Sequence, residues 1–212
     1  MDSLAIVGVG SVGAALGERF AETGHQIVFG VRPGRDVSAL LARCGEKARA
    51  IDIATACAAA PVVFLAVPHE AAVAALEGID LAGKIVVDCT NPVSFADGSP
   101  AWDPPPAGSM AAELAKGHPL ARWVKGFSTM GAQLMRHPEL AHGFATQVHL
   151  AADDVAAKEQ LAKLISGAGF VPLDAGPLRN AAALENLAIL WIHLAMKGDL
   201  GREWAFQTVG RG

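Results

Sequence analysis

Cysteine is scarce: Cys44, Cys57 and Cys89 are the only three, and no C-x-x-C spacing joins them. That argues against a disulfide framework or a zinc site and for a reducing compartment, so we expect a cytoplasmic protein. The seven histidines form no H-x-x-x-H pair, and no metal site is expected. Charge of one sign is also lacking. A net charge of -4 and a pI of about 5.9 give no footprint for nucleic acid or an anionic membrane surface. There is no G-x-S-x-G and no histidine near a matched acid in a recognisable motif, so no nucleophile–base constellation stands out. No apolar run is long enough for a bilayer: residues 181–196 come nearest, and Glu185, Asn186 and His193 interrupt them. Residues 4–17 resemble a signal-peptide core, but Asp2 stands where a basic segment belongs. Internal repeats are missing too.

Apolar residues are plentiful, at 52% of 212, which is enough for one large domain or for a domain with a small appendage. The most informative segment is the first. Leu4-Ala5-Ile6-Val7 is a short apolar run, Gly8-Val9-Gly10-Ser11-Val12-Gly13 follows at once, and Ala14 to Phe20 reads as a helix. Strand, G-x-G-x-x-G and helix in that order are a dinucleotide-binding signature. Gly8 turns the chain, Gly10 lets a pyrophosphate approach the backbone, and Gly13 lets the helix pack on the strand. The N–H groups at the helix start then face the phosphates.

Beyond this turn, strand-length apolar runs alternate with helical patterns. Strands are expected at 4–9, 26–31, 62–67, 84–89, 123–128, 146–151 and 170–173, with a short one near 48–51. Several are apolar almost throughout, as parallel strands covered on both faces are. Helices are expected at 11–23, ending at Gly24, at 53–59 capped by Asp52, and from Pro68 to Leu76. Another is capped by Asp153 or Asp154 and stops at Gly167. The alternation implies an α/β chain, a doubly wound parallel sheet with right-handed crossovers. Residues 91–108 carry five prolines and no period, and read as a long loop, either a lid or an idle insertion. Residues 179–198 read as a helix apolar on more than one face, which implies burial on both sides and favours a homodimer. We expect a dinucleotide-binding domain over 1–175 and a C-terminal helix and tail over 176–212.

The second strand selects the cofactor. An acid about 20 residues beyond the glycine turn would bond a ribose 2′-hydroxyl. Here the strand runs into Arg32-Pro33-Gly34-Arg35, and the first acid, Asp36, is placed to cap the next helix. Arginine pairs bidentately with a 2′-phosphate and stacks on adenine, so Arg32 and Arg35 point to NADP rather than NAD. Further contacts are expected where strands end: Ala66-Val67-Pro68, with His69 next to them, then Asn91-Pro92, then Ser128-Thr129. We assign no catalytic side chain, because hydride transfer between two bound rings needs alignment more than proton transfer.

Several motifs resemble the deazaflavin (coenzyme factor-420)-dependent NADP reductases and related small NADP-binding oxidoreductases. They are the glycine turn, Gly30-Val31-Arg32, Ala66-Val67-Pro68 and Val86-Val87-Asp88-Cys89-Thr90-Asn91-Pro92. Val124-Lys125-Gly126-Phe127-Ser128-Thr129-Met130-Gly131-Ala132, Leu173-Asp174-Ala175-Gly176-Pro177-Leu178-Arg179-Asn180 and Leu184-Glu185-Asn186-Leu187 continue the match. The resemblance implies a Rossmann core, NADP binding with Arg32 at the 2′-phosphate, a dimer, and hydride exchange with a deazaflavin, a flavin or another small acceptor. Two positions depart from the family pattern. Val31 stands where a serine or threonine often precedes the arginine, and Ser128 where a histidine can precede the threonine. A second reading is a non-catalytic module that senses NADP(H).

Overall fold

A computed structural model describes residues 3–198 and 200–210. Asp2, invoked above against a leader, lies outside the described residues. The opening strand β1 (Ser3–Val7) leads through the glycine turn into α1 (Ser11–Glu22) and β2 (Gln26–Val31). Helix α1 stops where Gly24 and His25 return their N–H groups to the carbonyls of Ala21 and Phe20. Next come α2 (Ser38–Cys44), β3 (Ala48–Asp52), α3 (Ile53–Ala58), β4 (Val62–Leu65), α4 (His69–Leu76) and β5 (Ile85–Asp88). Asp52 caps α3 by accepting from the Thr55 N–H at 2.9 Å. Asp36 does not occupy the cap of α2, which is Val37; it sits one residue earlier and accepts from the Ser38 N–H.

Residues 91–108 are not simply a loop. They contain an antiparallel hairpin, β6 (Val93–Ala96) and β7 (Ser99–Trp102). Asp97 and Gly98 form its two-residue turn with φ of 51° and 71°, and Asp-Gly flanked by apolar residues is the sequence signal for such a turn. After it come α5 (Met110–Gly117), β8 (Arg122–Lys125), α6 (Ala132–Arg136), β9 (Gln147–Leu150), α7 (Val155–Gly167) and β10 (Val171–Asp174). Helices α5 and α6 lie outside the expected set. A 3-10 turn over Leu178–Asn180 precedes α8 (Ala181–Lys197), so the last helix starts two residues later than its apolar pattern implies. Asp154 caps α7, while Asp153 accepts from the Leu178 N–H and pins that turn.

Six strands form one parallel sheet in the order β3-β2-β1-β4-β5-β8. Its apolar strands are covered on both faces. Leu4, Ile6, Phe64, Ile85 and Val87 pack toward α1 and α7, while Ala5, Val7, Val63, Leu65 and Val86 pack toward α3, α4 and α5. Alternate residues of one strand thus enter opposite layers, as period-2 geometry requires. The last two strands, β9 and β10, form a separate parallel pair. It joins the main sheet through reciprocal hydrogen bonds between Lys125 and Ala151.

Candidate cofactor site

At the carboxyl ends of β1, β2 and β4 lies a cavity of about 700 Å³. Gly8, Val9 and Gly10 line it, with Val31, Arg32 and Arg35 from β2 and its loop, and Ala66, Val67 and Pro68 after β4. Gly8 has φ +104°, and a Cβ there would fall 2.4 Å from the Ala66 carbonyl oxygen. A Cβ on Gly13 would fall 2.0 Å from the Gly8 oxygen. These two glycines are therefore required by the fold of the turn itself. Gly10 differs, because nothing lies within 4 Å of its missing Cβ. It is also the N-cap of α1 and offers no side-chain cap, so the first-turn N–H groups have no capping side chain. Space without a side chain beside uncapped donors suits an anion.

Arg32 and Arg35 are exposed at the cavity's edge. Neither guanidinium is engaged in a hydrogen bond or ion pair among the described residues; the Arg35 N–H bonds the Arg32 carbonyl at 3.2 Å, closing the loop between them. Sequence reasoning missed the opposite wall. Ile53 at the start of α3 and Ala71, Ala74 and Ala75 of α4 line it. The i, i+3, i+4 spacing of small residues on α4 was the available signal.

Of the other expected contacts, Ser11 and Val12 sit in the first turn of α1 and Gly13 is buried beneath it, none of them lining this cavity. His69 does not line it either; its side chain lies 3.4 Å from Glu70 and borders a smaller cleft with Asp103, Pro104 and Glu113. Asn91, Pro92, Ser128 and Thr129 gather separately, beyond the ends of β5 and β8. The Asn91 Nδ2 donates to the Ser128 carbonyl at 2.9 Å. The Asn91 Oδ1 and the Ser128 Oγ are buried with no hydrogen-bond partner, and such atoms are rare unless something else satisfies them. Thr129 Oγ1 lies 3.4 Å from His149 Nδ1 on β9, and burial holds the His149 pKa below its ordinary value.

The backbone before Ser128 is strained. Phe127 has φ +58°, the left-handed region that a bulky residue seldom occupies. Its ring is clamped edge-on between Phe64 and Phe170, at centroid distances of 6.0 and 5.3 Å. Strain of this kind persists where packing over-determines it, and it clusters at functional turns.

Below the same turn lies a charge cluster that sequence reasoning left unassigned. Lys125, Asp88 and Glu185 have fully buried side chains, with Lys125 Nζ 2.8 Å from Asp88 Oδ2 and 2.9 Å from Glu185 Oε1. Lys125 Nζ also donates to the Thr90 carbonyl. Asp88 Oδ1 accepts from the Thr90 N–H at 2.9 Å and its hydroxyl at 2.6 Å. Burial alone would lower the Lys125 pKa, yet the two carboxylates outweigh it and hold the ammonium above its ordinary range. Burial raises that of Glu185, against the pull of Lys125. Periodicity gave no hint of this cluster, since its members lie far apart in sequence.

Among the described residues, no cluster of His, Cys, Asp and Glu is arranged to hold a metal, and no helix is long and apolar enough to cross a membrane. The family model described as NADP oxidoreductase, coenzyme F420-dependent, matches residues 3–92. A crystal structure from Arthrobacter sp. FB24, provisionally classed as an F420-dependent NADP-reductase, is similar over 99% of this chain and 100% of its own, with a TM-score of 0.89 and 30% identity. Human metalloreductase STEAP2 is 25% identical over 190 residues, 88% of this chain and 36% of the human protein, so the chain spans about a third of the curated relatives it matches. A reductive aminase from Aspergillus terreus, solved with NADPH4, cyclohexanone and allyl amine, shares the fold at TM-score 0.65 and 20% identity, over 90% of this chain and 60% of its own. By the full-length match at 30% identity, with the family model over residues 3–92 in agreement, the chain belongs to the family of coenzyme F420-dependent NADP oxidoreductases.

Proposed function

We propose that this protein binds NADP(H) along the carboxyl edge of its sheet and passes hydride between it and a deazaflavin, a flavin or another small acceptor. The observation that carries the reading is the pair of unengaged guanidiniums, Arg32 and Arg35, on the rim of the cavity that Gly10 opens. The uncapped start of α1 would take the pyrophosphate. Arg32 and Arg35 would take the 2′-phosphate, and a carboxylate at either position would repel it. From β2 to β8 the sheet crosses four inter-strand gaps of about 4.8 Å each. A ligand that starts at Arg32 and ends at Ser128 is therefore long, as a dinucleotide is. Asn91 Oδ1 and Ser128 Oγ then offer an acceptor and a hydroxyl to the amide of the nicotinamide end.

Bound NADPH supplies the hydride; the chain's own groups hold and align it. No acid–base pair is needed for that transfer, and the site offers alignment instead: a strained, clamped turn and an immobilised Asn91. Leu190 and Met196, exposed on α8, support a homodimer formed through that helix, which sedimentation would test. The deciding experiment is NADPH oxidation measured in parallel with deazaflavin and riboflavin-type acceptors. Turnover with either establishes the reductase. Tight NADPH binding without turnover against any acceptor makes the chain a sensor of NADP(H). Preference for NAD over NADP in calorimetric titration overturns the cofactor assignment.

A further inference from the structure

Resting on the NADP(H) reading, we propose that Lys125 is a positioning residue for the nicotinamide end. It holds the Thr90–Asn91 turn through the buried triad with Asp88 and Glu185, and so ties that turn to the C-terminal helix.

All three polar backbone and side-chain atoms of Thr90 are engaged by this triad. Its N–H and hydroxyl go to Asp88, and its carbonyl takes a bond from Lys125. The backbone entering Asn91 is thereby fixed. Asn91 is fixed from the other side by its bond to the Ser128 carbonyl. What remains free is the pair of buried, partnerless atoms, Asn91 Oδ1 and Ser128 Oγ. Ser128 is only 4% exposed, so its hydroxyl has no water-filled surface to turn toward. The triad therefore fixes the backbone from which Asn91 Oδ1 projects, and Asn91 is tied in turn to the Ser128 carbonyl.

Glu185 adds a long-range link. It lies on α8, accepts from Lys125, and also accepts from the Met110 N–H, the first of α5, at 3.0 Å. Helix α8 and strands β5 and β8 thus meet at one ammonium, and α5 joins them through the Glu185 carboxylate. A buried ion cluster is poor evidence for stability, because apolar residues of similar volume often serve as well. Its bonds do specify geometry: those of Asp88 and Lys125 end on Thr90, in the turn that presents Asn91, and those of Glu185 reach Lys125 and the Met110 N–H. None of the triad residues lines the cavity at Arg32 and Gly10. Its loss should therefore be felt at one end of the cofactor only.

The test uses two ligands on the full chain. Adenosine 2′,5′-bisphosphate reports the arginine end, and the fluorescence of bound NADPH reports how the nicotinamide is held. Lys125→Met removes the ammonium at similar volume. Glu185→Gln is the milder variant, which keeps an acceptor for Met110 and serves if Lys125→Met does not fold. For a folded variant we expect the bisphosphate affinity to stay within about twofold of wild type. NADPH should bind about tenfold more weakly in Lys125→Met, with its nicotinamide fluorescence shifted toward that of free NADPH. Glu185→Gln should fall between wild type and Lys125→Met. Equal weakening of both ligands would show a general structural role and overturn the proposal, as would a folded variant with unchanged NADPH fluorescence. Failure of the wild type to bind the bisphosphate would instead sink the NADP(H) reading and this inference with it.

Discussion

A Cβ on Gly8 would collide with the carbonyl oxygen of Ala66, at 2.4 Å, whereas a Cβ on Gly10 would meet nothing within 4 Å. The glycine turn therefore separates into positions the fold needs and one that only a ligand needs. Gly8→Ala should cost about 3 kcal/mol or more, from a backbone clash added to a left-handed φ. Gly10→Ala should cost no more than about 1 kcal/mol, the difference between glycine and alanine at a helix N-cap. Its NADPH affinity should nonetheless fall at least about tenfold if a pyrophosphate lies there. Thermal unfolding and calorimetry on the two variants check this. A Gly10→Ala protein with wild-type affinity would place the phosphates elsewhere.

Arg32→Glu should raise the Michaelis constant for NADPH by more than about tenfold, from lost phosphate pairing and added repulsion. The constant for NADH should change little, because that nucleotide has no 2′-phosphate. Since Arg32 makes no side-chain bond among the described residues, the unfolding midpoint should hold. Paired kinetics with the two nucleotides read this directly.

Acid sensitivity should centre on the start of α7. Arg122 grips Asp154 through Nε at 2.6 Å and through a second nitrogen at 3.2 Å, and Asp154 also accepts from the Ala157 N–H. The Arg122 hydrogen bond, with the helix-start N–H, lowers the Asp154 pKa from 3.8 to about 2. A folded value below the unfolded one means stability is present above pH 3.8 and lost as pH falls toward 2. Asp154→Asn keeps a cap but drops the charge. Its denaturant midpoint should fall less steeply than that of wild type across this window.

The doubly wound core was legible because its signals are local. Alternating β-strands with both faces buried write continuous apolar runs, and β2 was expected at its observed bounds. Strand ends at the site ran long: 62–67 was expected where β4 stops at Leu65. Ala66 and Val67 are as apolar as the strand but already turn into the cavity. Helix α5 and the hairpin were not legible because five prolines across 91–108, one of them inside the second hairpin strand, break the apolar alternation that would mark the elements around Asp97-Gly98. The arginine end of the candidate site could be read, since charge sign and position sit together on one loop. The ring of contacts around Thr90 could not, because Asp88, Lys125 and Glu185 meet only in three dimensions.

All three thiols should resist modification in the folded protein. Burial pushes Cys44 and Cys57 up to about 11, and Cys89 higher still, with Asp88 adding to its shift. At neutral pH almost no thiolate is present, and access is closed as well. A colorimetric thiol reagent should label none of them promptly under native conditions and all three in denaturant. Rapid native labelling would mean local opening of the segment concerned, with Cys44, at 8% the most exposed, the first to report it.

His149 adds a pH dependence nearer neutrality. Its ring nitrogen lies 3.4 Å from the Thr129 hydroxyl, and burial lowers its pKa below 6.5. The folded state therefore favours a neutral imidazole. Stability from this group is intact above pH 6.5 and is lost as pH falls through the lower folded value, because the unfolded chain binds the proton first. The imidazole proton resonances of His149 should titrate with a midpoint below 6.5. His149→Phe should remove the part of the stability slope just under that pH while leaving the steeper acid limb that Asp154 controls. Thr129→Val should leave the His149 midpoint below 6.5, since burial, which the substitution keeps, is what lowers it. A midpoint at or above 6.5 would mean that the imidazole faces water rather than the turn after β8.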